Sequence, residues 1–167
     1  EKDLGVYIDS ELKFKHHTES IVRKANRIVG LLWRSFQFID KNVFLKLYTS
    51  MVRSHLEYAA PVWSPYYHNL AEELEKIQRR ATKRLPELKD HSYEDRLKRL
   101  KLPTLVYRRI CADLINVYKY TTGKFKLASH LKLKESRIHT RGHSMQLEKR
   151  SAKTDRHKYS FSHRVVD

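Results

Sequence analysis

A chain of 167 residues with 40% hydrophobic content is long enough to enclose one core, and its 35 Lys and Arg against 19 Asp and Glu leave a net charge of +16. It holds no run of about 18 uncharged apolar residues, which excludes a transmembrane helix. It opens Glu1-Lys2-Asp3 without a secretory signal, and its one cysteine, Cys111, excludes an internal disulfide, so an intracellular setting, nucleus or cytoplasm, is expected. The charge is uneven: residues 1–123 carry 23 basic and 15 acidic side chains, residues 124–167 carry 12 and 4. Excess of this kind implies a polyanionic partner, nucleic acid before a membrane surface.

Leu4-Gly5-Val6-Tyr7-Ile8 reads as one short strand, closed by the turn signal Asp9-Ser10. A lone strand has nothing to pair with, so residues 1–12 are expected to be the remnant of a sheet supplied elsewhere. From His16 to Phe36, the apolar positions Ile21, Val22, Ala25, Ile28, Val29, Leu32, Trp33 and Phe36 predict an amphipathic helix, with Gly30 a local weakness. Its other face carries Arg23, Lys24, Arg27 and Arg34.

Val43 to Pro65 is the most aromatic stretch and predicts the central helix. Phe44, Leu47, Tyr48, Met51, Val52, His55, Tyr58, Ala59, Val62 and Trp63 recur in threes and fours along one stripe. Asp40 suits the N-cap and Ile39 with Phe44 a hydrophobic staple, while Pro61 and Pro65 end or kink the helix. Asn69 then caps a helix with the stripe Leu70, Leu74, Ile77, Ala81 and Leu85, acidic in its first turns and basic in its last. Ser92-Tyr93-Glu94-Asp95 caps a short helix with Leu97 and Leu100. Past Pro103, Val106, Tyr107, Ile110, Leu114, Val117, Tyr118 and Thr121 form a last stripe that Gly123 stops. The expected fold is therefore all-α: a bundle of about five helices over 13–123, then a basic, partly disordered tail over 124–167 in which Tyr159-Ser160-Phe161 docks.

Seven strings follow one another in a telling order: Leu4-Gly5-Val6, Arg23-Lys24-Ala25-Asn26-Arg27-Ile28, Leu56-Glu57-Tyr58-Ala59, Val62-Trp63-Ser64-Pro65, Gln78-Arg79-Arg80-Ala81-Thr82-Lys83, Ser92-Tyr93-Glu94-Asp95-Arg96-Leu97 and Leu102-Pro103-Thr104-Leu105. With Thr140-Arg141-Gly142-His143-Ser144 and Phe161-Ser162-His163-Arg164-Val165-Val166, nearly the whole chain resembles the region downstream of the palm in non-LTR (LINE-type) retrotransposon reverse transcriptases. The resemblance implies the thumb and connection region, which lies against a template–primer duplex while palm and fingers perform RNA-directed DNA synthesis. It places the polymerase centre, a Tyr-x-Asp-Asp turn holding two divalent ions expected to be magnesium, in that palm, and no string here matches it. Ser54 stands where the family has proline and Glu87 where it has glycine, departures expected of a truncated or decaying copy.

Asp9 and Glu11 are expected to be solvated turn acids and not metal ligands. His16-His17 and His139/His143 are too dispersed for structural zinc, and Cys111 sits among apolar helix neighbours as a buried, inert thiol. Trp33, Trp63 and Tyr58 could stack on bases, but their stripe positions assign them to the core. The candidate phosphate contacts are Arg23, Arg27 and Arg34 on one helix, and Lys76, Arg79, Arg80, Lys83 and Arg84 on another. The tail adds Arg137, Arg141, Lys149 and Arg150. Cations at one-turn spacing can follow a row of phosphates and release condensed counterions. The expected function is to grip the backbone of an RNA/DNA or DNA duplex, with no catalytic centre and no cofactor of its own. The alternatives are a helical protein-interaction module and a non-functional remnant.

Overall fold

A computed structural model describes residues 1–36, 38–125, 131, 133 and 146–166. They divide into two compact units, Glu1–Arg109 and Ile110–Asp167. The sequence-based boundary at 123–124 falls inside the second. The fold is all-α with a short N-terminal antiparallel pair.

The single strand expected over Leu4–Ile8 is instead a hairpin. β1 (Lys2–Asp3) pairs with β2 (Val6–Tyr7), Lys2 opposite Tyr7 and Asp3 opposite Val6. Leu4 and Gly5 both take positive φ, 43° and 89°, as a two-residue hairpin turn with right-handed strand twist requires. Leucine rarely adopts that region, so the run reads as continuous strand. The hairpin is therefore not an orphan. The Tyr58 hydroxyl donates to the Leu4 carbonyl at 2.9 Å, and the Tyr7 N–H donates to His17 Nδ1 at 3.2 Å.

Asp9 is committed to backbone. Its carboxylate accepts from the N–H groups of Glu11, Lys13 and Phe14 at 3.1, 3.0 and 2.6 Å, holding a loop in which Leu12 and Phe14 are both left-handed. That loop delivers the chain into α1 (Lys15–Ser35), whose buried positions include Ala25, Val29 and Leu32.

The central stretch departs from a regular helix. It begins as expected, with Asp40 accepting the Val43 N–H at 2.6 Å as N-cap of α2 (Lys41–Leu47), and Ile39 and Phe44 both buried. Tyr48–Arg53 then widens into a π-helix before α3 (Ser54–Glu57) resumes. The buried residues are Phe44, Tyr48, Val52, Leu56 and Ala60, spaced strictly by four. In an α-helix a four-residue step overshoots one turn by about 40°. The i→i+5 turn is wider and takes up the overshoot, keeping the row pointed at the core. Hydroxyls serve carbonyls along this segment: Thr49 donates to Leu45, Ser50 to Lys46 and Ser54 to Ser50, at 2.7, 2.7 and 2.6 Å. Leu56 and Ala60 were missing from the predicted stripe, whereas Met51, Tyr58 and Val62 belong to it and are exposed.

The helix breaks at Tyr58-Ala59, where Ala59 is left-handed, and Ala60–Trp63 forms the single turn α4 with Pro61 in its first positions. Trp63 is fully buried, with its indole N–H donating to the Tyr58 carbonyl at 2.6 Å; Trp33 is half-buried against Phe44. Of the three aromatics assigned to the core, Tyr58 is the exception at 56% exposed.

α5 (His68–Lys83) has Tyr67 rather than Asn69 at its N-cap position, and α6 (Tyr93–Leu100) is capped by Ser92, which accepts the Asp95 N–H at 3.1 Å. α7 (Leu105–Thr121) opens beneath Thr104, whose hydroxyl accepts the Tyr107 N–H at 3.1 Å, and Gly123 closes it at φ 69°. Its predicted stripe faces outward: among the described residues only Leu105 and Arg109 of this helix are buried, while Ile110, Leu114 and Tyr118 are more than half exposed.

In the second unit, α8 (Asp155–Lys158) and α9 (Phe161–Arg164) dock as expected of Tyr159-Ser160-Phe161. Arg164 donates to both Asp113 carboxylate oxygens at 2.8 and 3.0 Å, and the Phe161 ring lies 6.1 Å from Tyr120. Among the described residues no helix is long and apolar enough to cross a membrane.

Candidate nucleic-acid interface

On α1, Arg23, Arg27 and Arg34 fall at four- and seven-residue spacings, which places them on one side of the helix. Ala25, Val29 and Leu32 hold the opposite side in the core. All three arginines are exposed, and none has an acidic partner among the described residues. Unneutralised guanidinium groups in a row present a fork of donors to each successive anionic oxygen.

The basic residues of α5 divide by what they touch. Arg80 crosses to α1, donating from Nη1 to Asn26 Oδ1 at 2.8 Å, next to Arg27 in sequence. That bond joins the two helices' charged edges. Lys83 and Arg84, the latter at the C-cap just past the helix, are exposed and without an acidic partner among the described residues. Lys76 and Arg79 are each held by an acid of their own helix, Lys76 by Glu73 at 2.6 Å and Arg79 by Glu72. Arg79 also lies 5.0 Å from the centroid of the Tyr93 ring. Pairing within the helix leaves less of their charge for a ligand.

Beneath this face α5 is pinned by buried polar groups. Gln78, fully buried, accepts from the Tyr48 hydroxyl at 2.8 Å and donates to the Tyr93 hydroxyl and the Pro103 carbonyl, both at 3.0 Å. Tyr93 in turn donates to Glu75, whose other oxygen accepts the Leu105 N–H at 3.0 Å. Burial first, then the carboxylate of Glu75, pushes the Tyr93 phenol well above the usual tyrosine range, so it stays a donor. Arg96 secures the end of α5, donating to the Thr82 hydroxyl at 3.2 Å and the Arg79 carbonyl at 3.4 Å. Periodicity can flag Gln78 and Glu75 only as polar residues on a buried side. Their partners lie 15 to 30 residues away in sequence.

Of the tail residues, Arg137 and Arg141 lie outside the described residues, as do His139 and His143. Lys149 and Arg150 line a cleft of about 280 Å³ with Lys158 and His163, and Arg150 stands 3.8 Å from Glu148. Sequence reasoning missed Lys158, which the turn of α8 returns to the pair. It also missed Asn26 as the acceptor that links α1 to α5, although its place inside the Arg-Lys-Ala-Asn-Arg string was a signal.

Among the described residues no three His, Cys, Asp or Glu side chains are grouped to hold a metal ion. Cys111 is half-buried with its thiol free. The chain is similar to uncharacterized protein B0403.1 of Caenorhabditis elegans, with 27% identity over 137 residues that cover 80% of this chain and 69% of that protein. No family model and no solved structure matches the chain.

Proposed function

We propose that the first unit grips the sugar–phosphate backbone of a nucleic-acid duplex, as the thumb and connection region of a retroelement RNA-directed DNA polymerase whose palm and metal ions belong to another part of the parent enzyme. The observation that carries this reading is the exposed row Arg23, Arg27 and Arg34, without acidic partners among the described residues and joined by the Arg80–Asn26 bond to the basic edge of α5. The ordered motifs shared with non-LTR reverse transcriptases supply the polymerase context, and an intracellular location follows from it. Contact is led by charge and shape, through cations spaced to meet successive phosphates. The unit contributes holding rather than bond-making. The test is the affinity of the chain for an RNA/DNA hybrid across a salt series, alone and with Arg23→Gln, Arg27→Gln and Arg34→Gln combined. Binding that ignores salt, or that the triple variant leaves unchanged, refutes the reading.

A second reading has its own observation. Ile110, Leu114, Ile115 and Tyr118 are all more than half exposed on one helix, an apolar surface of the kind that protein partners cover. A partner recovered from nuclease-treated extract, and lost on Leu114→Asp, would favour a protein-interaction module.

A further inference from the structure

Where the hairpin meets α1 and α3, the surface folds into a cleft of about 380 Å³ that shares none of Arg23, Arg27 and Arg34. Its walls carry Lys2 from β1, Ser20 and Lys24 from α1, and His55 from α3, with the rings of Tyr7 and Tyr58 beside them. Its lining contains no carboxylate. Lys2 and Lys24 are exposed and have no acidic partner among the described residues; the Lys2 amino group stands 5.1 Å over the Tyr7 ring instead. Two ammonium groups around one concavity repel each other until an anion enters, and the neighbouring hydroxyl and imidazole are placed to hydrogen-bond it. The imidazole registers that field. Burial first, then the charge of Lys24, holds His55 below the usual histidine range.

The walls are built rather than incidental. Tyr58 is fixed through its hydroxyl to the Leu4 carbonyl, and Gly5, at φ 89°, leaves 3.6 Å between its missing Cβ and the Tyr58 ring. The buried His17, another lining residue, holds β2 through the Tyr7 amide.

We propose that this cleft is a phosphate-binding site, with Lys2 and Lys24 as its charged contacts, Ser20 and His55 as hydrogen-bonding groups, and Tyr7 and Tyr58 as aromatic walls for whatever carries the phosphate. The site is independent of duplex binding by the arginine row. A cleft of this size admits inorganic phosphate, a mononucleotide, or the terminal phosphate of a strand.

The test follows the amide resonances of Gly5, Ser20 and Lys24 in the full chain at constant ionic strength. The chain is titrated with inorganic phosphate, uridine monophosphate, and one short oligonucleotide carrying either a 5′-phosphate or a 5′-hydroxyl. Saturable shifts centred on these residues are expected. They should weaken at least about tenfold in Lys2→Gln/Lys24→Gln and persist in the triple arginine variant. Saturation by inorganic phosphate alone assigns a free-anion site, whereas a response to the 5′-phosphate strand over its 5′-hydroxyl twin assigns a strand end. Absence of saturable shifts with every ligand, or shifts that the lysine variant leaves intact, overturns the proposal. Both lysines are exposed, so their loss leaves the core in place. Loss of hybrid affinity in the arginine variant is scored separately.

Discussion

Gln78 is one side chain on which three distant segments agree. Its amide is shared among Tyr48, Tyr93 and Pro103 with no solvent to replace any of them. Gln78→Leu keeps the volume and leaves two hydroxyls and a carbonyl short of partners. Stability should fall by about 2–4 kcal/mol, read from the urea midpoint at unchanged m. His17 makes a second prediction. Its Nδ1 accepts the Tyr7 amide, so its proton sits on Nε2, and a second proton would have to break that bond. Burial and the neighbouring His16 hold this imidazole below its ordinary range. The unfolded chain, free of both, takes up a proton as pH falls below about 6.5, while the folded chain resists. Stability should therefore decline as pH falls from that point toward the lower folded value. His17→Asn keeps an acceptor for the amide and removes the titration, so its melting temperature should fall less steeply between pH 7 and 5. Equal slopes would count against the assignment.

At the scale of elements, Gly30 lies inside α1 with nothing within 4 Å of the position a Cβ would occupy. Gly30→Ala should raise stability by about 0.5–1 kcal/mol, through helix propensity and a less flexible unfolded chain; thermal unfolding checks it. The helices themselves were legible because Ala25, Val29 and Leu32, or Leu70, Leu74, Ile77 and Ala81, keep helical spacing and bury as that spacing requires. The caps at Asp40 and Ser92 were legible for the same reason, each being a local device. What escaped depends on backbone geometry that composition does not announce. A leucine in a left-handed turn disguised a hairpin, and a four-residue repeat disguised a π-helix as a broad α-helical stripe. The site was legible as charge and only partly as geometry. The sequence places cations on α1 and α5, but which of them an acid neutralises depends on reach across two turns, as between Glu72 and Arg79.

For the whole molecule, the proposed grip on a polyanion would depend on the net charge of +16 and its placement. If each arginine of the row meets one phosphate, as proposed, the slope of log affinity against log salt should fall by about 2.7 in the triple glutamine variant, at roughly 0.9 per contact on a B-form duplex and less on single strands. Hybrids of unrelated sequence should bind within a few-fold of one another, as expected when phosphates rather than base edges are touched.

The bond from the Leu105 amide to Glu75 has a practical consequence for dissecting the chain. That carboxylate is almost wholly enclosed, and it gets one of its two hydrogen bonds from the opening amide of α7. Any fragment ending before residue 105 would leave the buried Glu75 side chain without one of its two donors, and one ending before residue 103 would also take the Pro103 carbonyl from Gln78. Boundaries for expression should therefore fall beyond the first turn of α7, even where only the arginine-bearing helices are wanted.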